Sequence, residues 1–241
     1  MQHELLEWDS NFFGFPVARI LGPKISADAL MKAVLDLKSR GIALIYWASH
    51  EIKPSPTIAQ LNGHLADIKT TFCLDLTDPN TAARIAVDSP GTNIVPFDPT
   101  MSMSEAEALA VQSGEYSRFA LDKKIPRDRY EDLYKTWIGR SLKNEIAEEV
   151  LVVRDAGKLV GLITLGQKLD RGDIGLLAVD KYSRGTGIGT ALVSAANSWF
   201  LKKKYKTAQV VTQGSNIPAL RLYKKCGYRI ETTEYVYHFW P

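Results

Sequence analysis

Residues 181–189, Lys-Tyr-Ser-Arg-Gly-Thr-Gly-Ile-Gly, set glycine at every second position over Gly185, Gly187 and Gly189, with one arginine, Arg184, beside them. Such a loop turns tightly, because glycine adopts conformations closed to other residues, and it can aim several backbone N–H groups at one point. Converging donors of this kind cradle an anion. Directly behind the loop, Ile188, Ala191, Leu192, Ala195, Ala196, Trp199 and Phe200 recur at the spacing of one helical face. A helix starting there points its positive end at whatever the loop holds, which suits a phosphate or pyrophosphate. Taken alone, a merely structural turn explains the glycines equally well.

Two kinds of phosphate loop fit poorly. A Walker loop needs Lys and Ser or Thr after its last glycine, whereas Thr190-Ala191 follow Gly189. A dinucleotide fingerprint needs another glycine spacing and an acidic residue at the end of the next strand, but the strand near Ala208–Thr212 runs into Gln213 and Gly214. Upstream, Asp173–Asp180 is a short apolar run and reads as a buried strand. Downstream, Asn216 as a cap and Pro218 in the first turn open a helix that carries Tyr223 and ends at Gly227.

A strand followed by Arg184, two spacers and Gly187-x-Gly189 resembles the acyl-CoA-binding motif of the GNAT N-acetyltransferase superfamily. The segment Asn216–Tyr228 resembles the superfamily's second motif, a helix with Asn, Ala, Tyr and a closing Gly-aromatic pair. The similarity extends from Asp173 to Tyr237. It implies an enzyme that uses acetyl-CoA as cosubstrate. The pantetheine arm would lie along the main chain of Leu177, Ala178 and Val179, with one of these N–H groups, Leu177 foremost, as the oxyanion donor. The pyrophosphate would rest on Ser183, Arg184, Gly185, Thr186, Gly187, Ile188 and Gly189. Asn216 would contact CoA and Tyr223 would act as general acid toward the departing thiolate. No residue stands out as general base; Glu115, Asp173, Glu234 and a water relay are all open.

The expected architecture is α/β: the GNAT acyl-CoA N-acyltransferase fold, a mixed and mostly antiparallel sheet flanked by helices. A smaller α/β half-domain that looks like a partial copy precedes it. Residues 1–91 would form this N-terminal, substrate-side domain and residues 92–241 the acetyltransferase domain. In the first half, strand Val17–Leu21, a Ser26-capped helix ending at Gly41, strand Ile42–Trp47, a short helix around Ile58–Leu61 and strand Ile68–Leu76 follow one another. The stretch Thr77–Thr100 is rich in Asp, Pro, Thr and Asn and reads as a linker. Ser104-Glu105-Ala106-Glu107 reads as a capping box for a helix to Gln112, and Tyr130–Leu142 as another amphipathic helix. Val150–Val153 and Leu159–Thr164 form a hairpin across Asp155-Ala156-Gly157.

A chain of 241 residues, 45% hydrophobic, has enough apolar content for one large or two small domains. The formal charge of +3 is modest, and the densest cationic run, Lys202–Lys204, complements the end of a helix better than it makes a nucleic-acid surface. Cys73 and Cys226 are too few for a disulfide framework, and His3, His50, His64 and His238 show no ligand spacing, so no metal is expected. The start lacks the pattern of a signal peptide and no run approaches membrane-spanning length, which leads to a cytoplasmic expectation.

Within the superfamily, the chain is most similar to the dTDP-fucosamine acetyltransferases. The similarity lies in Val211–Asn216, Thr232–Tyr235, Tyr134–Ile138 and Asn11–Gly14. This implies a small-molecule amine on a nucleotide-linked amino-deoxy sugar, a role in cell-surface polysaccharide biosynthesis, and neither nucleic-acid nor membrane partners. Arg118 could pair with the phosphates, and Phe119, Tyr116 or Phe13 could stack on the base. Alternatives are another amine (a protein N-terminus, a polyamine or an antibiotic) and a non-catalytic acyl-CoA-binding module. A C-terminal edge strand bearing Tyr235, Val236, Tyr237, Phe239 and Trp240 could pair two subunits into a homodimer.

Overall fold

A computed structural model describes residues 2–53, 55–81 and 92–241. The chain divides into two compact units. One takes in the residues up to Thr70 with Gln213–Ser215 and Thr232–Pro241; the other takes in Thr71–Thr212 and Asn216–Glu231.

The first unit contains β1 (His3–Leu5), α1 (Glu7–Phe13), β2 (Val17–Ile20), α2 (Ala27–Ser39), β3 (Leu44–Ser49), α3 (Ser55–Ala59), the start of β4 (Gly63–Asp75) and most of β10 (Arg229–Phe239). Its strands follow the order β1-β2-β3-β10-β4. Ser26 caps α2 by accepting the Ala29 N–H at 3.3 Å. The apolar stripe Leu30, Ala33, Val34 and Leu37 then packs in one core with Ile45, Trp47, Tyr237 and Phe239. Because α2 is the crossover, β2 and β3 pair in parallel.

Here the expected edge strand is corrected. Strand β10 is interior, paired antiparallel with β3 from Tyr235 opposite Ser49 to Phe239 opposite Ile45 and flanked on its other side by β4. Its Tyr237 and Phe239 are buried, so the residues proposed to join two subunits are spent inside one. The aromatic run near the N-terminus forms a helix, α1, which stops where Gly14 takes a left-handed φ of 80°.

The second unit contains the end of β4, β5 (Ile94–Pro96), α4 (Met103–Ser113), α5 (Arg118–Leu121), α6 (Arg127–Leu142), β6 (Glu149–Asp155), β7 (Lys158–Lys168), β8 (Arg171–Val179), α7 (Ile188–Lys202), β9 (Thr207–Gln213) up to Thr212, α8 (Ile217–Lys225) and the start of β10. Strand order is β4-β9-β8-β7-β6-β5. Strands β5 to β8 pair antiparallel, whereas β8 and β9 are parallel. This is the expected mixed, mostly antiparallel sheet flanked by helices. Helix α7 lies close on the sheet because two strand glycines admit it: a Cβ at Gly161 would lie 2.9 Å from Ile188, and one at Gly172 would lie 2.3 Å from the Phe200 ring.

Two local expectations shift. The cap of α4 is Ser102, which accepts the Glu105 N–H at 3.3 Å, and the Glu105 carboxylate instead accepts the Leu159 N–H at 3.0 Å. The stretch read as a linker contains β5 at Ile94–Pro96; its residues 82–91 lie outside the described ones.

Candidate active site

The site grows from a splayed strand. Parallel pairing joins Gly172, Asp173 and Ile174 of β8 to Ala208, Gln209 and Val210 of β9 and goes no further, whereas β8 stays paired with β7 up to Val179 opposite Gly161. From Gly175 onward the β9-facing edge of β8 therefore offers main-chain groups without a strand partner.

A bulge decides which residues face that opening. Register shifts between the pairs Ile163–Leu177 and Leu165–Ile174, so Gly175 and Leu176 together oppose Thr164. The Leu176 N–H donates to Thr164 Oγ1 at 2.8 Å, and a Cβ on residue 175 would come within 2.8 Å of the same oxygen, which is why glycine stands there. At the other end the Asp180 N–H donates to the Val160 carbonyl at 2.9 Å. Main-chain groups alternate in direction along a strand, so Ala178 points into the β7 ladder while Leu177 and Val179 point to the open edge. Sequence reasoning missed the bulge, because its partner Thr164 lies on another strand.

After β8 the chain turns. The Ser183 N–H donates to the Asp180 carbonyl at 2.8 Å, and Thr186 Oγ1 donates to the Ser183 carbonyl at 2.7 Å. Gly185 and Gly187 adopt left-handed φ of 84° and 92°, and Gly187 is the residue from which α7 starts. Among the described residues the N–H groups of Gly187, Ile188, Gly189 and Thr190 have no acceptor. Such donors at the positive end of a 15-residue helix can hold a phosphate-bearing ligand. Arg184 turns its Nε to the Val179 carbonyl at 3.2 Å and a terminal nitrogen to the Glu115 carboxylate at 3.5 Å.

Helix α8 supplies the phenol. Its cap, Asn216, accepts the Ala219 N–H at 3.2 Å. Tyr223 is 4% exposed and packs in one apolar cluster with Leu177, Val179, Ile188 and Leu222, its ring 5.7 Å from Phe72 and 6.0 Å from Tyr228. Burial pushes its pKa above the ordinary tyrosine value, with Cys226 adding to the effect, so the group is a neutral phenol at physiological pH. Among the described residues its hydroxyl has no hydrogen-bond partner.

Each carboxylate considered as a base has a partner: Glu115 pairs with Arg184, Asp173 accepts from the Gln209 amide at 2.8 Å, and Glu234, in the first unit, pairs with Lys69 at 2.6 Å. The Arg118 guanidinium lies 4.4 Å from the centre of the Phe119 ring, which meets Trp137 edge to face at 6.1 Å. Phe13 is buried between the rings of Phe12 and Phe15. Among the described residues no helix is long and apolar enough to cross a membrane.

Comparison with known proteins agrees with this geometry. The sequence pattern of the acetyltransferase (GNAT) family matches residues 107–228, just over half of the chain. Over 239 residues the chain is 28% identical to the dTDP-fucosamine acetyltransferase of Escherichia coli O6:H1, covering 96% of this chain and 95% of that one. It is 29% identical over 136 residues to the spore coat polysaccharide biosynthesis protein SpsD of Bacillus subtilis, covering 55% of this chain and only 46% of that protein. A GCN5-related N-acetyltransferase from Sphaerobacter thermophilus shares the fold with a TM-score of 0.61 at 14% identity, over 98% of this chain and 75% of that one.

Proposed function

The chain belongs to the GNAT acetyltransferase family and is an N-acetyltransferase, and we propose that its acceptor is the amine of an amino-deoxy sugar carried on a nucleotide, as in dTDP-fucosamine. The observation that carries this reading is the length of the match to dTDP-fucosamine acetyltransferase. It runs through the N-terminal unit as well as the acetyltransferase motifs, and those motifs alone would match whatever the amine. The partial match to a polysaccharide biosynthesis protein supports the same substrate class and a place in making cell-surface polysaccharide. On this reading the N-terminal unit serves the acceptor.

The family uses acetyl-CoA, and the residues here fit it. The diphosphate would take the N–H groups of Gly187 to Thr190, with the turn from Ser183 around it, and the amide-bearing pantetheine arm would add to the open edge of β8 at Leu177 and Val179. An arm held on that edge would set the thioester carbonyl beside the Leu177 N–H. The unprotonated amine attacks the carbonyl carbon, and the developing oxyanion accepts from Leu177. As the C–S bond breaks, the Tyr223 phenol donates to the sulfur, and the proton lost by the amine balances the one the thiol gains. No further reactant is consumed. Arg184 spends its Nε on Val179 and one terminal nitrogen on Glu115, and Asn216 stands at the start of the helix that carries the acid.

The test is acetyl-CoA-dependent turnover across dTDP-fucosamine, other nucleotide-linked amino sugars, polyamines and peptide N-termini. The reading expects the highest kcat/KM on a nucleotide-linked amino sugar, by about a hundredfold or more over the other amines. Preference for a polyamine or peptide would overturn it.

A further inference from the structure

Gln112, in the last turn of α4, has no part in the chemistry above, yet both ends of its carboxamide are spent on the mouth of the turn. Its Nε2 donates to Asp180 Oδ2 at 3.1 Å and its Oε1 accepts the Lys181 N–H at 3.0 Å. The other oxygen of Asp180 accepts the Tyr182 N–H at 3.0 Å. One side chain from a distant part of the sequence therefore fixes two consecutive residues, and these sit between the end of β8 at Val179 and the free amides from Gly187 onward.

The turn of α4 that carries Gln112 is tied to α6. The hydroxyl of Tyr130, a fully buried residue of α6, donates to the Val111 carbonyl in the same turn of α4. Helix α4 ends at Gly114, where a Cβ would lie 2.3 Å from the Tyr134 ring, so glycine is what lets that ring pack against the helix end. The turn itself is exposed from Arg184 to Gly187 and is otherwise held largely by bonds within itself.

We propose that Gln112 is a positioning residue: by holding Asp180 and Lys181 it sets the direction in which Val179 and the amides from Gly187 onward meet the acyl carrier. The proposal rests on the cofactor site described above. Asp180 is held below the usual carboxylate range chiefly by the Gln112 hydrogen bond, so it stays an ionised acceptor.

A reciprocal exchange tests it. Gln112→Glu sets a carboxylate against Asp180 and removes the donor. Adding Asp180→Asn restores the pair with donor and acceptor reversed: the new amide donates to the new carboxylate, its oxygen still accepts from Tyr182, and the Lys181 N–H keeps its acceptor. Calorimetric titration with CoA, which requires no knowledge of the acceptor, should show Kd rising about tenfold in Gln112→Glu, as loss of a charge-assisted hydrogen bond allows. Gln112→Ala should weaken binding severalfold, and the double variant should return to within about threefold of the parent protein. Unchanged affinity in Gln112→Glu and Gln112→Ala, or a double variant no better than Gln112→Glu while its thermal melting matches the parent's, would overturn the brace. Failure of the unsubstituted protein to bind CoA would refute the cofactor site itself, and the brace with it.

Discussion

Replacing Gly187 with alanine separates the backbone demand of the turn from every steric one. An added Cβ there would have nothing within 4 Å, so no clash arises; the penalty is the left-handed φ of 92°, which costs about 1–2 kcal/mol for an L-residue. If the turn keeps its shape, that strain lowers the melting temperature by roughly 2–8 °C in a domain of this size. If the backbone relaxes to a negative φ, the N–H groups from Gly187 to Thr190 lose their common aim, and the same energy taken from binding weakens CoA by about 5–30-fold. Gly189→Ala is the control. Its φ is not left-handed, and its Cβ would meet the Leu222 methyls at 3.2 and 3.7 Å and a Val179 methyl at 3.7 Å. Alanine moreover favours the helix that begins here, so melting should change less than in Gly187→Ala. Calorimetry with CoA and thermal melting on both variants decide the matter. A Gly187→Ala protein with parental stability and parental affinity would refute the reasoning, and so would a larger loss of stability in Gly189→Ala.

Tyr223→Phe removes a hydroxyl that bonds no described residue, so melting should hold while turnover falls about 100-fold with CoA affinity intact; full turnover would remove the phenol from the chemistry. An acid must be protonated to act, and because burial raises its pKa, the rate should show no descending limb from Tyr223 below about pH 10; a limb that appears in the parent and vanishes in Tyr223→Phe would contradict this. Thr164→Val strips the acceptor from the Leu176 N–H and should cost about 1–3 kcal/mol in denaturant unfolding, with a lower kcat as Leu177 shifts, whereas Thr164→Ser should restore both. Tyr228→Phe breaks the buried 2.6 Å bond to Asn197 and should destabilise by about 1–3 kcal/mol without altering kcat; a selective loss of kcat would give Tyr228 a role it lacks here.

The alternating glycines of the turn, the apolar stripe of α7 and the cap of α8 are local patterns, and each was legible in the chain. What was not legible depends on residues far apart in sequence. The bulge that aims Leu177 requires Thr164 on the neighbouring strand, and the grip on Asp180 requires Gln112, which reads in sequence only as a helix end. The last strand looked like an edge because its aromatics end the chain, yet pairing with β3 places it inside. The capping box of α4 was misread by two residues, since Ser102 and Ser104 offer the same hydroxyl and only the approach of Leu159 shows that Glu105 faces elsewhere. His64 and His238 offered no spacing to read, but their ring centroids lie 5.8 Å apart.

The central claim, that main-chain amides of the second unit grip the acyl carrier, is tested most directly by a crystal structure with CoA bound. The diphosphate oxygens should lie within hydrogen-bond distance of the N–H groups of Gly187 to Thr190, and the pantetheine amides should pair with the main chain of Leu177 and Val179, the sulfur reaching the Tyr223 hydroxyl. A diphosphate bound away from the start of α7, or an arm that leaves the open edge of β8 empty, would contradict the account.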